Sequence, residues 1–196
     1  FSVVPGESTI RFGLSTIKNF GEGIGEFIIE ERKTNGEYKT LSDFLRRITD
    51  KNLNKKSLES LIKTGALDRF GERGQLLSNL DTLLRYNRES AAAAGSAQDS
   101  LFASAGPTLV EELTLLPAEK ASTDDKLLWE KELLGIYVSG HPLERYKDEL
   151  AKRPSVKTVK SDEREGLPVV VAGIVEYAKQ IMTKSGDYMA FVRVAD

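Results

Sequence analysis

The chain has 196 residues and a mass of 21.7 kDa, room for one medium domain or two small ones and too little for a large multi-step enzyme. Its 40% hydrophobic and 30% charged residues suit a packed core under a solvated surface and argue against full-length disorder. No cysteine and a single histidine, His141, exclude a disulfide scaffold, a thiolate nucleophile, an iron–sulfur cluster and cysteine- or histidine-rich zinc centres.

In chain order, Leu14, Ile17, Phe20, Ile24, Phe27 and Ile28 recur at intervals of three and four, interrupted by Gly21, Gly23 and Gly25. This spacing predicts two short helices joined by a tight turn. Leu41, Phe44, Leu45 and Ile48 predict a further helix, with Thr40 or Ser42 as its N-cap. Leu53, Leu58, Leu61 and Ile62 predict its partner, closed by Gly65. Leu76, Leu77, Leu80, Leu83 and Leu84 predict one amphipathic helix ending near Arg85. Residues 1–88 thus read as an all-helical domain, with 15 basic against 12 acidic residues. Its balance of +3 permits a phosphate-contacting face without demanding one, and the remainder of the chain carries −5.

From Glu89 to Pro107 the alanine-, serine- and glycine-rich run predicts a flexible linker, placed at 89–121. Helix resumes at 126–137, capped by Ser122, Thr123 or Asp124 and broken by Gly140-His141-Pro142, and a short helix over Leu143, Tyr146 and Leu150 completes a connector at 122–160. In 161–196, the run Val169 to Val175 predicts a strand, Lys184 to Asp187 a hairpin turn and Tyr188 to Val194 the returning strand. The fold class is mainly α with one terminal β-hairpin. No apolar run nears the roughly 20 residues of a membrane span and no leader opens the chain, so cytoplasm is the expected compartment. A start at Phe1 and a stop at Asp196 inside a strand suggest a piece of a longer protein.

Chemistry is scarce. Asp124-Asp125 and Asp162-Glu163 lack the spacing of a metal-converging carboxylate pair, His141 has no neighbours for a triad, and the G-x-G-x-G run lacks the spacing and preceding strand of a dinucleotide site. No catalytic and no metal residue is assigned. The glycine turn offers something else. Backbone amides exposed beside a helix N-terminus favour an anion, and Lys18, Asn19, Phe20, Gly21 and Gly23 form such a turn. A plain turn between two core helices is the competing reading, and Glu22 and Glu26 add negative charge beside it. Lys55, Lys56 and Lys63 make a second basic face, which a solvated helix surface also explains. In the neutral run, Gln98-Asp99-Ser100-Leu101-Phe102 places an apolar pair where it gains no packing, a sign of a docking peptide unless the pair folds back onto the helical domain.

Leu14-x-x-Ile17-Lys18-Asn19-Phe20-Gly21, followed by Ile24, Phe27 and Ile28, resembles the helix-hairpin-helix motif of non-specific DNA binders, with Asn19 where that motif has glycine. A wider resemblance runs through Ile10 to Gly23, Leu53 to Asp68, Trp129 to Leu143, Val171 to Val175 and Met189 to Val192. In these blocks the chain is similar to the alpha subunits of bacterial DNA polymerase III, the C-family replicative polymerases.

That resemblance implies the segment after the fingers: a tandem helix-hairpin-helix domain gripping duplex DNA, a sliding-clamp-binding motif, and the start of an OB-fold. It implies DNA contacts at Lys18, Asn19, Phe20, Gly21, Gly23, Lys55, Lys56 and Lys63, and clamp contacts at Gln98, Ser100, Leu101 and Phe102. Implied partners are duplex DNA, the beta sliding clamp and other holoenzyme subunits, with no membrane. No cofactor belongs to this segment; magnesium is expected for the parent DNA-directed DNA polymerase, a nucleotidyltransferase. A helix-hairpin-helix module of a repair enzyme, such as a DNA ligase or an excision nuclease subunit, and a protein-interaction scaffold are the alternatives.

Overall fold

The computed structural model describes residues 2–3, 6, 10–99, 112–152, 168 and 170–195, with Ser2 and residues 94–99 described by their backbone alone. The chain divides into two units, Phe1–Ser139 and Gly140–Asp196.

The first unit opens with a two-residue antiparallel ladder, β1 (Ser2–Val3) against β2 (Ile10–Arg11), and a 3-10 turn at Leu14–Thr16. Helices α1 (Glu22–Asn35), α2 (Leu41–Arg47), α3 (Lys55–Lys63), α4 (Arg73–Ser78), α5 (Leu80–Asp99) and α6 (Thr123–Leu134) follow. Each boundary has a local cause. Gly36, at φ 81°, stops α1. The Thr40 hydroxyl accepts from Asp43 N at 3.0 Å to start α2, and Asn54 and Ser57 exchange side-chain and backbone bonds in a capping box at α3. Ser122 caps α6 and Gly135, at φ 79°, ends it.

One core gathers these elements. Leu45, Ile48, Leu58, Ile62, Leu76 and Leu83 are fully buried, surrounded by Ile17, Phe20, Ile24, Phe44 and Leu61. Each such side chain contributes roughly 1.5–3 kcal/mol of transfer free energy. The α2 end is finished from a distance: the Asn87 amide, on α5, donates to the carbonyls of Leu45 and Ile48 at 2.7 Å each. Arg47 uses all five guanidinium protons within the fold, on Glu31, Asp43 and the carbonyls of Gly36 and Glu37. The polar recess it spans between α1 and α2 therefore offers no spare donor from Arg47 to a ligand.

Four expectations are corrected here. Residues 14–16 form a 3-10 turn, so the first of the two short helices is a single tight turn leading into a long α1. The leucine run at 76–84 belongs to two helices, because Asn79 breaks the backbone between α4 and α5. Its side chain pairs with the backbone of Leu116 instead, Nδ2 donating at 2.9 Å and Oδ1 accepting at 2.8 Å. The neutral linker does not begin at Glu89: α5 continues to Asp99, since alanine, which fills 91–94, is the strongest helix former of all. Finally, residues 112–121 lie along α4 as a bonded strap, with Ala121 N donating to Glu72 at 3.1 Å. Gly74 lets the strap in, for a Cβ there would overlap its backbone.

The second unit holds a 3-10 turn at Glu144–Tyr146, α7 (Lys147–Leu150) and an antiparallel hairpin, β3 (Ile174–Met182) with β4 (Tyr188–Ala195). The turn sits at Thr183 to Asp187 as expected, with Gly186 at φ 91°. The strand starts later than the valine run suggested. Counted from that turn, the register brings Ile174 opposite Ala195, and Val170 and Val171 precede that pair without joining the ladder. Among the described residues, no helix is long and apolar enough to cross a membrane.

Candidate nucleic-acid interface

The first turn runs from Ile17 to Gly21. Ile17 and Phe20 are buried and anchor it, and Phe20 N donates to Ile17 O at 3.3 Å. Between them Asn19 takes a left-handed conformation, φ 64°, alone among the described non-glycine residues. This is the conformation that a glycine would adopt most cheaply, and asparagine tolerates it better than other side chains. Phe20 was expected among the DNA contacts, but its ring is a core element; only its backbone remains at the turn.

Gly21 is the N-cap of α1 and supplies no side-chain cap, so the first-turn amides of α1 have no acceptor from that position. A Cβ on Gly23 would meet nothing within 4 Å, and one on Gly21 only Ile24 at 3.9 Å. Packing therefore does not require glycine at either place, whereas close approach of an outside group to the backbone does benefit from it. Gly25 differs: a Cβ there would lie 3.4 Å from the Phe20 ring. Lys18 is exposed beside this turn, with its own amide donating to Leu133 O of α6 at 2.9 Å.

The second turn follows α3. Gly65, at φ 79°, closes the helix with the paired bonds Ala66 N to Leu61 O and Gly65 N to Ile62 O, both 3.0 Å. Over it lies Arg73, the first residue of α4. Its guanidinium donates to Asp68 at 2.8 and 2.9 Å, to Lys63 O at 3.1 Å and to Glu130 of α6 at 2.8 Å. Glu130 is itself caged: it accepts from the amides of Val138 and Ser139 at 2.7 and 2.8 Å and from the Ser139 hydroxyl. Burial pushes the Glu130 carboxyl up, but the bonds from Ser139, Val138 and Arg73 outweigh it and hold the group below the ordinary carboxylate range. Glu72 behaves alike: burial raises it, while Lys126 and the amides of Ala121, Gly74 and Gln75 bring it below its ordinary value.

The three lysines of the second basic face part company. Lys55 and Lys56 open α3, whose first turn has no acidic residue, so two cations stand at the positive end of a helix dipole. That arrangement is unfavourable for the free helix and favourable for an anion arriving there. Lys56 is exposed and Lys55 pairs with Asp81 at 3.0 Å on the surface. Lys63 is turned inward instead, bonded to Glu59 at 2.6 Å and seated 5.7 Å over the Trp129 ring. Of the clamp residues, Gln98 falls in the last turn of α5 by its backbone; Ser100, Leu101 and Phe102 lie outside the described residues. His141 accepts from Leu143 N at 3.3 Å within its turn.

Sequence reasoning did not single out Arg73, Glu130, Asn79 or Asn87. Glu130 lies within the Trp129 to Leu143 block that carries the wider resemblance, but nothing in that block marked the residue itself.

Residues 1–76 match the helix-hairpin-helix motif family, which agrees with the two turns just described and defines the class of module. The similarity extends much further than the motif. Proteins named DNA polymerase III subunit alpha are 42% identical over 100% of the chain in Thermus aquaticus, 38% over 98% in Deinococcus radiodurans and 35% over 98% in Aquifex aeolicus. The chain belongs to the DNA polymerase III alpha subunits as a segment of that family. It spans 16%, 15% and 15% of the lengths of those three relatives, respectively.

Proposed function

We propose that this segment grips duplex DNA through phosphate contacts and tethers a sliding clamp, as the non-catalytic part of a replicative, DNA-directed DNA polymerase. The observation that carries the DNA half is the uncapped start of α1, flanked by left-handed Asn19 and by two glycines with open space where side chains would stand. Four amides without helical partners there form an anion site, and the lysines opening α3 supply a second. The relatives match nearly the whole chain rather than the motif alone, which favours the polymerase over a hairpin module of a repair enzyme.

The clamp half rests on Gln98-Asp99-Ser100-Leu101-Phe102, a string of the Gln-x-x-Leu-Phe kind that ordinary usage produces in a chain this long only about a few per cent of the time. Glutamine would enter a polar pocket, leucine and phenylalanine an apolar one. Tethering to DNA-bound polymerase raises the effective concentration and so supplies processivity. The β3–β4 hairpin reads as the opening of an OB-fold; it leaves Tyr177, Phe191 and Val192 exposed, as a hairpin of a larger sheet would. Magnesium chemistry would belong to other parts of the polymerase.

The test is binding of a mixed-sequence duplex by fluorescence anisotropy as a function of salt. Log affinity should fall with log salt at a slope of about −0.9 per phosphate contact, and Lys55→Glu with Lys56→Glu should flatten it. Unchanged low-salt affinity in that double variant overturns the assigned face. Calorimetry against the cognate clamp tests the peptide: Leu101→Ala with Phe102→Ala should abolish a roughly micromolar interaction.

A further inference from the structure

We propose that α6 and Glu130 within it are the brace that holds the first turn and helix α3 at a working distance, so that the DNA-gripping unit extends through Ser139; this rests on the reading of the start of α1 and the start of α3 as phosphate sites.

The motif model stops at residue 76, yet both turns are tied to one stretch of α6 beyond it. The first turn attaches through Lys18 N to Leu133 O, 2.9 Å. The second turn, which closes α3 and so fixes the helix whose other end carries Lys55 and Lys56, attaches through Arg73 to Glu130, 2.8 Å, and through Lys63 placed over Trp129. At 1.5 Å of rise per residue, Glu130 and Leu133 are only about 5 Å apart along the helix axis. A rigid helix of that length cannot let one turn move without carrying the attachment of the other. Two phosphate sites gain from each other only if their separation is fixed beforehand, because each docking event otherwise orders the second site anew.

Glu130 makes the attachment rigid. It is fully buried and accepts from Arg73, from the Ser139 hydroxyl and from the amides of Val138 and Ser139. The chain past Gly135 is thereby folded back onto the helix, and its Val138 and Ser139 build the cage of the brace. Lys126 adds a second tie, to Glu72 at 3.0 Å, at the other end of the same helix. Glu130 touches no candidate phosphate position, so it is a positioning residue.

The test uses the full chain. Glu130→Gln is compared with wild type in the salt dependence of duplex binding, with Trp129 emission reporting whether α6 stays docked and circular dichroism reporting folding. The expected result is a folded protein with a shifted Trp129 spectrum and a salt slope cut to about half, as the two phosphate sites cease to act together. An unchanged slope with α6 undocked, or an unchanged spectrum and slope, overturns the brace and leaves the DNA reading intact. No binding by wild type overturns the DNA reading and the brace with it. Should Glu130→Gln unfold, amide exchange of wild type decides: duplex is expected to slow exchange at Ser139 together with Lys18, and protection of Lys18 alone overturns the proposal.

Discussion

Arg73 and Glu130 meet at 2.8 Å across 57 residues of chain, and their side chains are 4% and 0% exposed. A buried ion pair survives only when every remaining proton and lone pair finds a partner, and here Asp68, Ser139, Val138 N and Lys63 O complete the set. Removing one member leaves the other charged and dry. Glu130→Ala is expected to destabilise the first unit by about 3–5 kcal/mol, whereas Arg73→Met with Glu130→Leu should cost far less than twice that. Urea denaturation of the two variants measures the difference.

Acid stability follows from the same carboxylate. The folded protein holds Glu130 and Glu72 below their ordinary values, so the unfolded chain takes up protons first as pH falls. Their contribution is complete above the unfolded value, near 4.3, and is lost as pH falls through the folded values. Wild type is expected to lose urea resistance steeply below about pH 4.5, and Arg73→Met with Glu130→Leu to do so more gradually. Denaturation midpoints at pH 7, 5, 4 and 3 show which.

Local chemistry made much of the fold legible. The apolar periods located the helices, Thr40 and Ser122 cap where N-cap residues should, and Asn19 stands left-handed where the motif wants glycine. The misreadings share one origin. The leucine run at 76–84 keeps a helical period straight through Asn79, whose side chain bonds Gln75 O nearby and the backbone of Leu116, 37 residues away. The alanines after Glu89 suit a helix or a linker, and composition alone does not choose between them. Lys63 looks like its neighbours Lys55 and Lys56 in sequence, yet Trp129, far along the chain, draws it inward. Long-range polar pairs leave no periodic trace, so Arg73 and Glu130 were invisible until folded.

At the first turn, the left-handed Asn19 separates conformation from contact. Asn19→Gly relieves the strain and is expected to leave stability within a few tenths of a kcal/mol, while Asn19→Val should destabilise by about 1–2 kcal/mol. Thermal midpoints read both. If duplex affinity also survives in Asn19→Gly, the turn acts through its backbone amides; a tenfold loss would assign the contact to the asparagine side chain.

At the second turn, Gly65 meets two constraints at once. Its φ of 79° disfavours any side chain, and an added Cβ would overlap the Arg73 guanidinium, coming within 2.9 Å of Cζ and of an Asp68 carboxylate oxygen. Gly65→Ala is expected to cost about 1–3 kcal/mol from backbone conformation, plus whatever Arg73 loses on being pushed from Glu130. Gly74→Ala makes the contrast: it improves helix propensity by about 0.8–1.0 kcal/mol in α4 but ejects the strap at Ala121. Amide exchange should therefore quicken at Leu116 and Ala121 in Gly74→Ala with α4 intact, and at Ser139 in Gly65→Ala.

The surface pair of Lys55 and Asp81 supplies the last prediction. Both groups are exposed, 3.0 Å apart, and add little to stability because solvent screens them. Their weight lies in the field at the start of α3, where Lys55 and Lys56 face a helix dipole of the same sign. Asp81→Asn removes the counter-charge without touching the core, so Lys55 is left to an incoming phosphate. Duplex affinity at low salt is expected to rise severalfold, and the salt slope to steepen by up to one contact's worth, about 0.9. Asp81→Asn combined with Lys55→Gln should cancel the gain. If Asp81→Asn binds duplex no better than wild type at 50 mM salt, Lys55 does not face DNA and the interface lies at the first turn and Lys56 alone.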